Sequence, residues 1–271
     1  MYNSHTHTNN SHDATAKIED LCKEALKSAL TGFAITDHCD ISYLSEPWVM
    51  HGISGSVKDA LWAKENFSDK LFVGMGIEIG ETVFNPKAAD KIIQNNCWDV
   101  VLSSVHLVSN MPWDIPFSQI DFSKADNELI DKFLTQYFAD MFNMLQITDF
   151  DILCHLTVPL RYIVKKYKQQ IDTEKYYPAI TNILKEIIKR DISLEINTSG
   201  FITGENYFMP DKAIINIYKS LGGKRISLGS DAHRASDLTA GLQQGATMLK
   251  ALGFETATYY KKRKAVEYNL E

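Results

Sequence analysis

Seven short runs of apolar and β-branched residues recur along the chain, most of them continuous rather than alternating with polar positions. They are the N-terminal residues up to His7, then GFAITDH (32–38), LFVGMGIEI (71–79), WDVVLSSVH (98–106), FDILCHL (150–156), DISLEIN (191–197) and KRISLGSDAH (224–233). Continuous hydrophobicity of this length suits strands buried on both faces, as in a parallel sheet. Helical periods lie between them. Residues 14–30 set Ile18, Leu21, Cys22, Ala25, Leu26 and Ala29 on one stripe, and residues 86–96 open at Pro86, a favoured first helical position. Residues 125–147, 176–189, 210–221 and 235–251 repeat the theme. Strand followed by helix, repeated along the chain, predicts a parallel α/β architecture. Nothing resembling a linker divides it, so residues 1–271 read as one domain. Two stretches rich in Trp, Pro and Gly, 39–56 and 107–124, read as long loops of the kind that form lids or binding loops.

The polar residues sharpen this picture through their positions. Six of the eight histidines, His5, His7, His38, His106, His155 and His233, fall at the C-terminal ends of the apolar runs. Asp37, Glu78, Glu195 and Asp231 share those ends. In a closed parallel barrel these ends converge on one mouth, where barrel active sites are built. Taken singly, each residue has an ordinary explanation: a strand-end His can be structural, Asp13 can cap the helix that follows it, and Asp37 can turn the chain. Taken together, the cluster is physically reasonable chiefly with cations, because buried charges without partners cost several kcal/mol each. Imidazole and carboxylate ligands without cysteine suit divalent Zn, Mn or Fe and do not choose among them. A carboxylate such as Glu78 can bridge two ions, and such sites activate water and clamp a phosphoryl group.

Composition excludes more than it selects. With 45% hydrophobic residues, the 271-residue chain can bury a sizeable core. Its formal charge of -6 is spread rather than gathered in a basic block, which argues against nucleic acid or an anionic membrane as partner. Cys22, Cys39, Cys97 and Cys154 show no CxxC spacing and read as reduced thiols, hence a cytoplasmic setting. The first residues lack the positive charge and apolar h-region of a secretory leader, so none is expected, and no apolar run of about 18 residues could span a bilayer. Oligomeric state is not legible, since barrel helices are apolar on their inner faces with or without a partner.

The ordered motifs HTHT, ITDH, GIEIG, SSVH, CHL, LEINTSG and GSDAH resemble those of the PHP (polymerase and histidinol phosphatase) family, in particular its stand-alone histidinol-phosphate phosphatases. The resemblance implies a distorted TIM-like (β/α)7 barrel holding up to three divalent metals. His5, His7, Glu78 and Asp231 match one metal position; Glu78, His106 and His155 a second; Asp13, His38 and His233 the third, with His12 only a neighbour. It further implies a phosphomonoesterase acting on a small phosphate ester, most readily L-histidinol phosphate in histidine biosynthesis. Glu78, Asp231 and His233 would be catalytic, the last two as candidates for proton transfer to the leaving alcohol. Arg161, Asn197 and Arg234 would contact substrate, Arg161 at the phosphate. Thr157 stands where the family often has Asp, and Phe201-Ile202-Thr203-Gly204-Glu205 brings no basic residue where many relatives have one. A second phosphate-binding cation must then come from elsewhere, with Arg234 the candidate, and this weakens histidinol phosphate more than it weakens phosphoester hydrolysis. The alternatives are a nucleotide, sugar phosphate or phosphodiester as substrate, an amidohydrolase-type metallohydrolase, which usually has a strand-end lysine absent here, and a non-catalytic metal binder. The expected N-terminus is ordered, with Met1 to Asn3 entering the barrel.

Overall fold

The computed structural model describes residues 1–94 and 97–270. Its strands are β1 (Tyr2–Thr6), β2 (Gly32–Ile35), β3 (His38–Asp40), β4 (Phe72–Gly80), β5 (Val100–Ser104), β6 (Ile152–Leu153), β7 (Ser193–Asn197) and β8 (Ile226–Gly229), and each apolar run supplies at least one. They form a single all-parallel sheet in the order β1-β2-β4-β5-β6-β7-β8, with β3 beside the end of β4. Closure is made at the C-terminal ends of β1 and β8. Thr6 bridges to Ala232, His7 N–H donates to the Ala232 carbonyl at 2.9 Å, and Asp231 N–H donates to the His5 carbonyl at 2.9 Å. The fold is therefore a TIM-like barrel, and its seam joins the first histidines to the last motif.

β1 is the exception to the hydrophobic pattern, because Asn3, Ser4, His5 and Thr6 are all buried. Buried polar groups need partners, and most of these have them. Asn3 Nδ2 donates to Ser230 Oγ and to the Leu238 carbonyl, both at 2.7 Å, and Thr6 Oγ1 donates to the Ala34 carbonyl at 2.5 Å. The N-terminus is thus tied into the barrel from Tyr2 onward.

The surrounding helices are α1 (Ile18–Lys27), α2 (Pro47–Phe67), α3 (Pro86–Gln94), α4 (Asn127–Ile147), α5 (Tyr177–Lys189), α6 (Lys212–Ser220) and α7 (Leu242–Ala251). Asp126 and Asp211 cap α4 and α6 by accepting from Leu129 N–H at 2.8 Å and Ile214 N–H at 3.1 Å. The expected helix 86–96 ends in the structure at Gln94, and its positions 95 and 96 lie outside the described residues. The helix expected from 235 starts only at Leu242, after Gly241 in the left-handed region at φ +70°.

Three expectations are corrected. Residues 39–56 are not one loop, because α2 begins inside them and buries Val49, Ile53, Ala60 and Ala63. Gly52 and Gly55, poor helix formers, concealed it; a Cβ at either would run into Asn10, so their absence lets α2 press against the loop after β1. The second miss is an antiparallel hairpin, β9 (Thr256–Lys261) and β10 (Lys264–Asn269), which covers the N-terminal end of the barrel. Tyr259 stacks on Tyr2 with centroids 4.5 Å apart, and Tyr268 Oη donates to the Tyr2 carbonyl at 3.2 Å. The third is the charge pattern: Lys261, Lys262, Arg263 and Lys264 gather at the hairpin turn, where Arg263 Nε binds Asp151 Oδ2 at 2.5 Å. Among the described residues no helix is long and apolar enough to cross a membrane.

Burial pushes the Asp151 carboxyl up to about 6 despite Arg263 beside it. A carboxyl whose pKa is higher folded than unfolded binds its proton more tightly in the folded chain. Its contribution to stability is largest below the unfolded value and is lost as pH rises through about 6. Asp151→Asn should therefore gain stability relative to the parent between pH 4.5 and 7.5, by on the order of 2 kcal/mol. Urea midpoints of both proteins at the two pH values measure this; an equal offset at both would show that Asp151 does not titrate in that window.

Candidate metal centre

The loop after β1 is held by Asp37. Its carboxylate accepts from Thr8 N–H at 2.6 Å, Thr8 Oγ1 at 2.7 Å, Ser11 Oγ at 2.7 Å and Ser56 Oγ at 2.5 Å, so it faces the loop and α2. Ser11 uses its single proton on Asp37 and can only accept from His7 Nδ1 at 3.1 Å. That fixes the His7 tautomer with a lone pair on Nε2. Burial first, then the charges of His38 and His233, push the His7 pKa down to about 3, so the ring is neutral.

Glu78 stands at the middle of the mouth, fully buried near the end of β4. Its two oxygens face different imidazoles. Oε1 lies 2.9 Å from His155 Nε2 and 3.4 Å from His106 Nε2, while Oε2 lies 2.9 Å from His38 Nδ1, 3.4 Å from His5 Nε2 and 3.6 Å from His7 Nε2. Asp231 Oδ1 is 3.2 Å from His7 Nε2 and 3.6 Å from His5 Nε2. Asp13, which precedes the Lys17 cap of α1 and does not cap the helix itself, places Oδ2 at 3.2 Å from His233 Nε2 and Oδ1 at 3.6 Å from His38 Nε2. All nine residues expected as ligands converge on one place.

The donor atoms fit divalent ions. His38 Nδ1 and Glu78 Oε2 are buried, 2.9 Å apart, and make no hydrogen bond; His155 Nδ1 is likewise unpaired. Burial opposes charge on His5, His38 and His106, yet the carboxylates around them raise all three pKa values well above the usual imidazole range. Burial also opposes charge on Glu78 and Asp231, whose pKa values the imidazoles nevertheless hold well below the usual carboxylate range. Protons meet the demand for positive charge that cations would otherwise meet. Cys154 lies near His5, Glu78 and His155, but burial pushes its thiol well up, so the thiol keeps its proton.

Backbone strain collects here: His155, Asp231 and Glu81 have φ of +22°, +53° and +50°, a region non-glycine residues rarely occupy. Over the centre opens a cleft of about 140 Å³, walled by His12, Phe117, Gln119, Arg161 and Tyr162 with several of the ligand residues. The stretch 107–124 lines it, as expected of a binding loop, through Pro116 to Gln119. Arg161 reaches the cleft and donates to the Ser199 carbonyl at 3.3 Å. Arg234, by contrast, is exposed and is not among the cleft residues. Asn197 is fully buried behind the centre, its amide engaged by Glu195, Asp231 and Ser199.

Sequence reasoning missed the residues behind the ligands. Asp40 Oδ1 lies 3.2 Å from His106 Nδ1, and Glu81 accepts from His106 N–H at 2.5 Å and Leu107 N–H at 3.1 Å. Burial, then Asp40, push the Glu81 carboxyl up to about 8. Both residues continue apolar strands, Asp40 two residues past His38 and Glu81 three past Glu78. That was the available signal.

Fold and site together define a parallel (β/α) barrel whose strand ends carry a candidate multinuclear metal centre. A family model described as "PHP domain" matches residues 3–199, and the chain belongs to that family. A protein of Thermotoga maritima named "Probable histidinol-phosphatase" is 26% identical over 259 residues, covering 94% of each chain. The "Histidinol-phosphatase" of Lactococcus lactis is 24% identical over 257 residues, covering 94% of this chain and 93% of its own. The crystal structure of a histidinol phosphate phosphatase from that species, complexed with zinc, L-histidinol and phosphate, superposes with a TM-score of 0.81 at 21% identity, covering 98% of both chains.

Proposed function

We propose that the chain is a metal-dependent phosphomonoesterase, one domain over residues 1–271, that hydrolyses L-histidinol phosphate to L-histidinol and phosphate in cytoplasmic histidine biosynthesis. The observation that carries this is the division of Glu78, one oxygen toward His106 and His155 and the other toward His5, His7 and His38, beneath a cleft that Arg161 enters. Relatives named histidinol-phosphatase over nearly their whole length support the substrate. Up to three ions, Zn, Mn or Fe, would be held by His5, His7, Glu78 and Asp231; by Glu78, His106 and His155; and by Asp13, His38 and His233. Such ions, when bound, supply an acidified water and positive charge at the phosphoryl oxygens.

The chain's own groups do the rest. The planar guanidinium of Arg161 can take two phosphoryl oxygens at once. His233 has both ring nitrogens engaged, Nδ1 donating to the Asp231 carbonyl at 2.9 Å and Nε2 facing Asp13 at 3.2 Å. Asp231, which the surrounding imidazoles keep ionised, would carry a proton to the leaving alcohol only after taking one from the attacking water. Phe117 from the long loop and Tyr162 beside Arg161 narrow the cleft and exclude water around a small ester.

One observation favours a second reading, a phosphatase for another small ester: with Arg234 in solvent, Arg161 is the only Arg or Lys among the described residues that line the cleft. Phosphate release measured on histidinol phosphate, nucleotide monophosphates, sugar phosphates and p-nitrophenyl phosphate, with metal content assayed on the same sample, separates the two. Histidinol phosphate should lead in kcat/KM by at least about tenfold, or about 1.4 kcal/mol of transition-state binding; equal rates would replace it with a general phosphatase. Arg161→Ala should raise KM about 10- to 100-fold with metal content intact. An unchanged KM would remove Arg161 from the phosphate site.

A further inference from the structure

Glu195 is fully buried in the middle of β7, belongs to none of the three ligand sets, and touches a member of two of them, His5 and His155. Its Oε1 accepts from His5 Nδ1 at 2.7 Å. Its Oε2 accepts from the backbone N–H of His155 at 2.7 Å and from Asn197 Nδ2 at 3.2 Å, and the same amide nitrogen donates to Asp231 Oδ2 at 3.3 Å. Gly229 on the neighbouring strand makes the room, since a Cβ there would collide with Glu195 Oε1. His155 is held at φ +22° by a backbone whose N–H is committed to this carboxylate.

We propose that Glu195 is a positioning residue that sets two metal positions in register. Resting on the metal-centre reading above, it presents His5 Nε2 as a lone pair to one position and fixes the strained His155 backbone that delivers His155 Nε2 to the other. The chemistry requires an acceptor at both oxygens, because His5 Nδ1–H and His155 N–H are both donors. Glutamine has nearly the same size but only one acceptor oxygen. If its amide faces His155, two N–H groups oppose each other and the strained turn loses its anchor. If its amide faces His5, the imidazole must accept at Nδ1 and carry its proton on Nε2, where the ion should bind.

Glu195→Gln should therefore weaken metal binding about 10- to 100-fold, measured as the zinc or manganese retained per chain against a competing chelator. The metal-free variant should still unfold in one cooperative urea transition, at a somewhat lower midpoint than the metal-free parent, so that its metal loss is read on a folded protein. Glu195→Asp keeps the charge but withdraws the carboxylate by one methylene, and should lose metal as well. In the His5→Ala background, Glu195→Gln should add less than its own effect, because the part that acts through the His5 ring is already lost while the part at the His155 N–H remains. Parental metal affinity in either folded Glu195 variant, or full additivity with His5→Ala, would overturn the proposal. A parent that binds no metal would instead overturn the metal-centre reading.

Discussion

Glu78→Gln should empty two metal positions at once and lower phosphate release by about 10³-fold or more, several kcal/mol of charge stabilisation. The substitution is nearly isosteric, so the loss is one of charge and lone pairs. One oxygen of Glu78 faces His106 and His155, the other His5, His7 and His38, all within 2.9 to 3.6 Å. Whichever way an amide is turned, its NH2 opposes one of these sets of ring nitrogens and can ligate nothing. The substitution also removes a buried negative charge, so the metal-free protein should remain folded with His5, His38 and His106 titrating lower than in the parent. Elemental analysis alongside phosphate release decides the matter: a Glu78→Gln protein with parental metal content would show that Glu78 does not bridge.

Acidification should strip the centre of metal, and metal uptake at neutral pH should expel more than one proton per chain. The sign follows from the metal-free protein. Burial works against charge on His5, His38 and His106, but neighbouring carboxylates raise all three well above the ordinary value of 6.5. A raised imidazole pKa gives the metal-free fold a stabilising term that is present below the unfolded value and lost as pH rises through the folded one. Metal binding needs the opposite protonation state, so apparent affinity rises with pH, by about tenfold per unit for each proton displaced. His7, already neutral with its pKa near 3, contributes nothing. Calorimetric zinc titrations in buffers of different ionisation enthalpy count the protons; uptake without proton release would rule out these imidazoles as ligands.

The strands and the cluster of candidate ligands were legible because their signals are local. Unbroken apolar runs mark strands covered on both faces, and His or Glu at the end of each run is visible in a few residues. Helix α2 and the C-terminal hairpin were not legible, for opposite physical reasons. Gly52 and Gly55 look like loop residues until Asn10 is seen packed against them. The alternating β9 and β10 depend on Tyr2, more than 250 positions away in the chain, for their aromatic partner. Asp37 and Glu195 show how local information runs out. Both lie close to candidate ligands in the chain, but Asp37 turns outward to hold the loop 8–11 against α2, whereas Glu195 turns inward to His5.

What the sequence by itself determined is which residue types arrive at the barrel mouth, since hydrophobic periodicity and chain order place them there. What only the tertiary structure decided is which atom faces which. The β1–β8 seam brings His5 and His7 against Asp231, and neighbouring strands aim the two oxygens of Glu78 at different rings. Periodicity specifies a face and an end, but lone-pair directions are set by hydrogen bonds to residues far away in the chain. The loop Thr8–Ser11 behind His7 and the carboxylate Glu195 behind His5 supply them, and both exist only once the barrel has closed.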